Sequence, residues 1–254
     1  MSSSVILSAL EFDVLWESER LPRRHVAIDV PSPGTTHSER AELVAGAFAA
    51  LRERGLVVNG RAVPELADRL SLLAHAQVGI DSWIWTDREI KAYAVASGDQ
   101  AGLAVVDSGQ VWLIAARVTA LAEAAVSIAG EAPAGPGRSV SLQTDVLMAA
   151  DAKAGGDPQN LITPLNSAGV PLYDAQTLAA MFAGAGVRGQ FGAERVGRDQ
   201  RRNRAARVVN FHDTGQGRYV HLIRPSNDGR DWSTIAPADT ARMAACVWEL
   251  LDEV

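Results

Sequence analysis

The sequence predicts an α+β fold of two pseudo-symmetric halves, each an antiparallel meander of about four strands with helices packed on one side. Three observations carry this. The stretch Gly130-Glu-Ala-Pro-Ala-Gly-Pro-Gly-Arg138 has five Gly or Pro in nine residues and breaks the 254-residue chain near its middle. Ser4-Val-Ile-Leu7 before that break is echoed by Ser139-Val-Ser-Leu142 after it. Beyond each echo the same order of amphipathic and extended runs follows. The reading is therefore an amino-terminal half (1–129), a Gly/Pro-rich linker (130–138) and a carboxy-terminal pseudo-repeat (139–254), related by a pseudo-two-fold.

Each half opens with an amphipathic run, Leu7 to Trp16 and Leu142 to Ala150. In the first half, Thr36 with Glu39 forms a capping box. The apolar stripe Leu43, Val44, Ala47, Phe48, Leu51 then keeps the 3.6-residue period until Gly55 stops it. Pro64 starts a second helix with Leu66, Leu70 and Leu73 on one side. Extended runs follow at Gln77 to Thr86, Glu89 to Ala96, Leu103 to Val106 and Val111 to Arg117, and a helix from Thr119 to Ile128 closes the half. The second half repeats the order, with a helix at Asp174 to Phe182 and extended runs at Gly189 to Val196, Arg207 to Phe211, Arg218 to Ile223 and Trp232 to Ile235. A last helix after Pro237 presents Met243, Val247, Leu250, Leu251 and Val254 on one face. Trp112 and Trp232 fall in matching fourth strands.

Composition narrows the function. Lys and Arg number 24 against 30 Asp and Glu, a net charge of -6, so no global field holds nucleic acid or an anionic membrane. A single cysteine, Cys246, excludes an intrachain disulfide framework and fits a reducing cytosol; it reads as a small core residue. Met1 to Leu10 does not read as a signal peptide, and no apolar window reaches the length of a membrane span. All cations but Lys91 and Lys153 are arginine, which with abundant Ala suggests a GC-rich genome.

Chemistry-bearing motifs are few. Gly184-Ala-Gly-Val-Arg-Gly189 fits the dinucleotide glycine pattern, but it follows a helix and precedes a strand, the reverse of what pyrophosphate binding needs, so it reads as a helix C-cap. No P-loop, zinc-hydrolase, nucleophile-elbow or kinase signature occurs, and no cofactor or metal is expected. Around a turn at Thr214 to Gly217, Asp213 should pair with Arg218, His212 with Tyr219, Phe211 with Val220 and Asn210 with His221. Asn210, His212, Tyr219 and His221 then share one face and Val209, Phe211, Val220 and Leu222 the other. The polar set is expected toward water or a partner, since a diagonal histidine pair lacks a third metal ligand. By the same parity Trp83 and Trp85 lie with Asp81, opposite Ile80 and Ile84, and serve either as an interface hot spot or as core. Arg195, Arg198, Arg201, Arg202, Arg204 and Arg207 place six cations in thirteen residues. With no interleaved aromatic and an acidic chain, they read as a solvated loop or a docking loop for a carboxylate-bearing partner rather than a nucleic-acid site.

Several segments resemble, in order, the EspG family of actinobacterial ESX (type VII) secretion systems. They are Leu7-Ser-Ala-Leu-Glu-Phe-Asp-Val-Leu-Trp16, Gly34-Thr-Thr-His-Ser-Glu-Arg40 with Leu51-Arg-Glu-Arg-Gly-Leu56, Pro64-Glu-Leu to Leu72-Leu-Ala74, and Asp213-Thr-Gly-Gln-Gly-Arg218 through Ala236-Pro-Ala-Asp239. The resemblance implies a cytosolic, non-enzymatic chaperone that covers the apolar tip of a PE-PPE heterodimer, or of a related helical-hairpin substrate, and delivers it to the secretion machinery. It implies docking through the sheet and the carboxy-terminal helices. Family members often carry a long loop between the first two meander strands, here only Thr86-Asp-Arg88, whereas the second-half loop is long and Arg-rich; loop contacts are not carried over. The expected docking residues are Trp83 and Trp85 as anchors, Arg201, Arg202 and Arg204 as steering charges, and Asn210, His212, Tyr219 and His221 on the open sheet face. No nucleic-acid partner is expected, and a homodimer stays open. The competing reading is a small-molecule-binding or enzymatic α/β protein with a pocket between the halves, using His212, Tyr219 and His221.

Overall fold

A computed structural model describes residues 4–226 and 229–254; Met1 to Ser3 of the amino-terminal run lie outside the described residues. The chain divides into two compact units. The first holds residues up to Trp83, Glu89–Ala125 and Glu194–Asn203; the second holds Ile84–Arg88, Val126–Ala193 and Arg204–Val254.

The first unit opens with β1 (Val5–Ser8), whose last residue caps α1 (Ala9–Ser18). Ser8 accepts from the Glu11 amide while the Glu11 carboxylate accepts from the Ser8 amide, a reciprocal capping box. Phe12, Val14, Leu15 and Trp16 are buried, and so is Asp13. Burial alone would raise the Asp13 carboxyl. Hydrogen bonds from Arg24 at 2.7 Å and Ser32 at 2.9 Å, with Arg40 at 2.8 Å, overcome it and hold Asp13 below the usual carboxylate range. The predicted Thr36–Glu39 box opens α2 (His37–Glu53), on which Ala47 and Leu51 are buried. The two-residue strands β2 (Val57–Val58) and β3 (Arg61–Ala62) lead into α3 (Pro64–Ala74), whose Leu66, Leu70 and Leu73 enter the core as the spacing predicts.

Next come β4 (Val78–Trp85), β5 (Glu89–Ser97), β6 (Gln100–Asp107) and β7 (Gln110–Ala116), then the short helix α4 (Leu121–Val126). The turn from β6 to β7 puts Ser108 at φ 49° and Gly109 at φ 76°, the two left-handed residues that match the twist of a tight hairpin. The strand order is β1-β7-β6-β5-β4, with Leu7 opposite Val111.

The second unit contains β8 (Val140–Gln143), α5 (Thr144–Ala154), α6 (Ile162–Ser167), α7 (Leu172–Phe182), β9 (Arg188–Val196) as far as Ala193, β11 (Val209–Thr214), β12 (Gly217–Pro225), β13 (Asp231–Pro237) and α8 (Thr240–Leu251). The end of β9 from Glu194 and β10 (Arg202–Arg204) as far as Asn203 belong to the first unit. Its strand order is β9-β11-β12-β13-β8, with Leu142 opposite Ser233. In both units, then, the first strand pairs with the last strand of the meander. Trp112 lies in β7 and Trp232 in β13, the same place in each path. Trp112 stands one residue after the partner of Leu7 and Trp232 one before the partner of Leu142, so they are offset by two positions and keep the same side of the pleat.

Helices α5, α6 and α7 pack with Val140, Leu142, Tyr219 and Ile235 in one apolar cluster. Helix α8 covers the other face of β12. Arg218 reaches Thr240 and Arg224 reaches Glu249 at opposite ends of α8, and both arginines share the parity of Val220 and Leu222. The sheet is therefore clothed on both sides here, where the sequence suggests one helical layer and one open face.

Candidate functional site

The hairpin pairs as the sequence predicts: Asp213 with Arg218, His212 with Tyr219, Phe211 with Val220 and Asn210 with His221. The environment of its polar face differs from the expectation. His212 is 7% exposed and Tyr219 1% exposed. The His212 ring stacks between Phe182, at 4.9 Å, and Tyr219, at 5.3 Å, and its Nε2 lies 3.0 Å from the Met181 carbonyl. The Tyr219 hydroxyl donates to the Pro136 carbonyl at 3.0 Å, and His221 Nε2 lies 3.0 Å from Ser233 Oγ. The expected solvated or partner-facing set is corrected accordingly: His212 and Tyr219 are interior. Period-2 alternation marks which residues share a face, but these side chains are amphipathic, and a helix end supplying a carbonyl and a phenyl ring satisfies them as well as water does. Asn210 and His221 remain half-buried.

Burial pushes His212 below its ordinary pKa of 6.5, against the pull of the Met181 carbonyl and Asp213; burial, and then His212 itself, pushes His221 down. Well above pH 6.5 the folded and unfolded chains both carry these rings neutral, so their contribution to stability does not vary with pH there. As pH falls below about 6.5 the unfolded chain takes up protons that the fold resists, and stability should drop by up to about 1.4 kcal/mol per pH unit for each ring. Urea midpoints at pH 7.5, 6.5 and 5.5 check this; a profile flat across that range would contradict it.

The Gly/Pro-rich stretch is not a loose linker but a strap tied to β12 and lying within the second unit. Arg218 donates its backbone amide to the Pro133 carbonyl at 2.8 Å, and the Gly135 amide donates to the Arg218 carbonyl at 3.1 Å. A Cβ on Gly135 would sit 2.2 Å from the Tyr219 ring, so the close approach requires glycine. The Arg218 guanidinium is fully buried. It grips Asp213 through Nε at 2.7 Å and Nη2 at 2.8 Å, the Ala129 carbonyl at 2.8 Å and the Gly130 carbonyl at 3.0 Å, and lies 4.9 Å from the Phe211 ring centre.

The arginine cluster is less of a solvated loop than expected. Gly197 donates to the Arg201 carbonyl at 2.8 Å and Gln200 to the Gly197 carbonyl at 3.0 Å, closing a tight turn between β9 and β10, which pair. Arg202 bonds the buried Glu194 carboxylate, the Tyr93 hydroxyl at 2.9 Å and the Ala76 carbonyl at 3.2 Å. Tyr93 also donates to Glu194 at 2.6 Å, and its ring stacks on His25 at 4.2 Å. Burial and the Glu194 charge hold the Tyr93 phenol protonated. Arg202, expected as a steering charge, is exposed and at the same time tied down by these bonds; Arg207 pairs with Glu253. Arg201 and Arg204 are exposed.

Trp83 and Trp85 are half-buried. Trp83 packs against the core of the first unit, donates Nε1 to Asp81 at 3.1 Å and lies beneath Lys91. Larger apolar exposure occurs where sequence reasoning placed no site: Trp112 and Trp232, each 37% exposed, and the helix residues Met148, Leu172 and Tyr173. The available signal was the position of both tryptophans in strands next to a sheet edge. Cys246 is buried and its thiol is pushed up by that burial, so it is a packing residue. Among the described residues no three His, Cys, Asp or Glu side chains group as metal ligands, and no helix is long and apolar enough to cross a membrane.

No curated protein matches the chain. The chain is similar in fold to the Mycobacterium tuberculosis type VII secretion system chaperone EspG5, solved in complex with the PE25-PPE41 dimer, with a TM-score of 0.79 and 15% identity over 99% of this chain and 97% of that one. The sequence model of the EspG family matches residues 8–249, and the chain therefore belongs to the EspG family.

Proposed function

We propose that this chain is a cytoplasmic, non-enzymatic chaperone that binds the apolar tip of a PE-PPE pair, keeps the pair soluble and delivers it to a type VII secretion system. Family membership over residues 8–249 carries the reading, and the solved relative bound to a PE-PPE dimer supports it. The chemistry is binding-linked protection. An exposed apolar tip drives aggregation, and a chaperone present at 100 times its Kd stabilises the bound form by about 2.7 kcal/mol with no nucleotide consumed. The enzyme reading has less support: His212 and Tyr219 are stacked and bonded within the second unit, where substrate has no access to them.

The partner-binding residues we propose are Trp83, Trp112, Arg201 and Arg202 in the first unit and Trp85, Arg204, Asn210, His221 and Trp232 in the second, each half-buried or exposed. Trp232 shares the α8 side of its sheet with Arg224, and Asn210 and His221 lie on the opposite side. The common strand path of the two units supports reading 1–129 and 139–254 as copies of one ancestral unit. Co-expression tests the function: a PE-PPE pair insoluble alone should become soluble and co-purify with this chain. A pair that stays insoluble, or dissolves without retaining the chain, would refute the chaperone reading.

A further inference from the structure

We propose that the cleft beside the β9–β10 turn receives an acidic peptide segment of a protein partner, as a contact separate from apolar docking. The cleft encloses about 520 Å³ and is lined by His75, Gln77, Arg195, Arg198, Gln200 and Arg202 with small aliphatic side chains; no carboxylate lines it. Three arginines thus line one concavity of a chain whose net charge is -6; Arg202 is already paired with Glu194, and Arg198 is exposed at the turn. Two acids lie close in sequence. Glu194 is buried and engaged by Tyr93 and Arg202. Asp199, at the turn, does not line the cleft and is turned to Arg201, accepting from its backbone amide at 3.1 Å and facing its guanidinium at 3.9 Å. The floor is fixed in advance: the Val196 amide donates to the Gln77 carbonyl at 2.8 Å, and the two turn bonds at Gly197 hold Arg198 at the corner.

Guanidinium groups offer paired N–H donors that fit a carboxylate, and glutamine amides can bond a peptide backbone. A nucleic acid fits less well. No Phe, Tyr or Trp lines the cleft for base stacking, and a long polyanion would meet the repulsion of the acidic remainder, whereas a short acidic segment feels mainly the local field.

The test uses the full chain and a fluorescein-labelled hexaglutamate probe read by anisotropy, so it does not depend on the PE-PPE reading. At 50 mM salt the probe should bind saturably while labelled hexaglutamine does not. Arg198→Glu should weaken binding at least tenfold and Arg198→Ala by less, whereas Arg52→Glu on the exposed side of α2 should leave it unchanged. Binding unaffected by both Arg198 substitutions would overturn the proposal, as would absence of binding. Displacement by hexathymidylate or tripolyphosphate at lower concentration than unlabelled hexaglutamate would also overturn it, by showing a phosphate site instead.

Discussion

Replacing Arg218 with Met should lower the unfolding free energy by about 3 to 5 kcal/mol, a large share of the stability of an ordinary domain. The guanidinium is fully buried, so its charge is tolerated only because all of its N–H groups find partners: Asp213 twice, the Ala129 and Gly130 carbonyls, and, at 3.4 Å, Thr240 Oγ1. Those partners come from the hairpin, from the start of the Gly/Pro-rich strap and from the first residue of α8, so one side chain ties three segments of the second unit. Removing it leaves the Asp213 carboxylate and two carbonyls without their donor in a space water does not readily enter. Arg218→Lys should recover little, because an ammonium cannot span the bidentate carboxylate and both carbonyls. The double change Arg218→Met with Asp213→Leu should recover part of the loss, since no charge is then stranded. Urea unfolding followed by circular dichroism reads this; a loss below about 1 kcal/mol for Arg218→Met would show that the clamp carries little stability.

Trp112→Ala and Trp232→Ala should each weaken client binding by about 2 to 4 kcal/mol, roughly 30-fold to several hundred-fold, in a variant that is still folded. Each indole is 37% exposed and otherwise covered, so truncation also removes buried apolar area and lowers the urea midpoint. Trp83→Ala should cost more stability, because that ring packs on the core and bonds Asp81. Neutralising Arg201 and Arg204 should mainly slow association at low salt. Calorimetric titration of each variant with a purified pair separates these outcomes. Unchanged affinity in both Trp112→Ala and Trp232→Ala would move the docking surface to the exposed helix residues Met148, Leu172 and Tyr173.

The elements most legible in the sequence were those whose local chemistry is self-sufficient. The Thr36–Glu39 box, Pro64 with its leucine stripe, and the hairpin register from Asp213–Arg218 to Asn210–His221 all stand as read. Helix α6 was missed because Pro158, Asn160, Pro164 and Asn166 signal loop; the segment turns helical where burial of Leu161 and Leu165 outweighs weak propensity. The contacts of the Gly/Pro-rich stretch were hidden for a related reason. Gly135 looks like flexibility in sequence, yet here it is the one residue small enough to lie on Tyr219. At the candidate site, parity told which side chains share a face but not what covers it. The helix end at Met181 and Phe182 that buries His212 comes from 31 residues earlier and carries no local signature. The arginine cluster that suggested a loop at Arg195 to Arg207 concealed a hairpin, closed by backbone bonds at Gly197 and by the Asp199 carboxylate accepting from the Arg201 amide.

The measurement that bears most directly on the chaperone reading is the mass of the complex. A PE-PPE pair from the same genome, co-expressed with this chain and examined by size-exclusion chromatography with light scattering, should elute as one monodisperse species. Its mass should exceed that of the pair by one copy of the 26.9 kDa chain. Elution of chain and pair as separate peaks at micromolar concentration, for every such pair in that genome, would contradict the account.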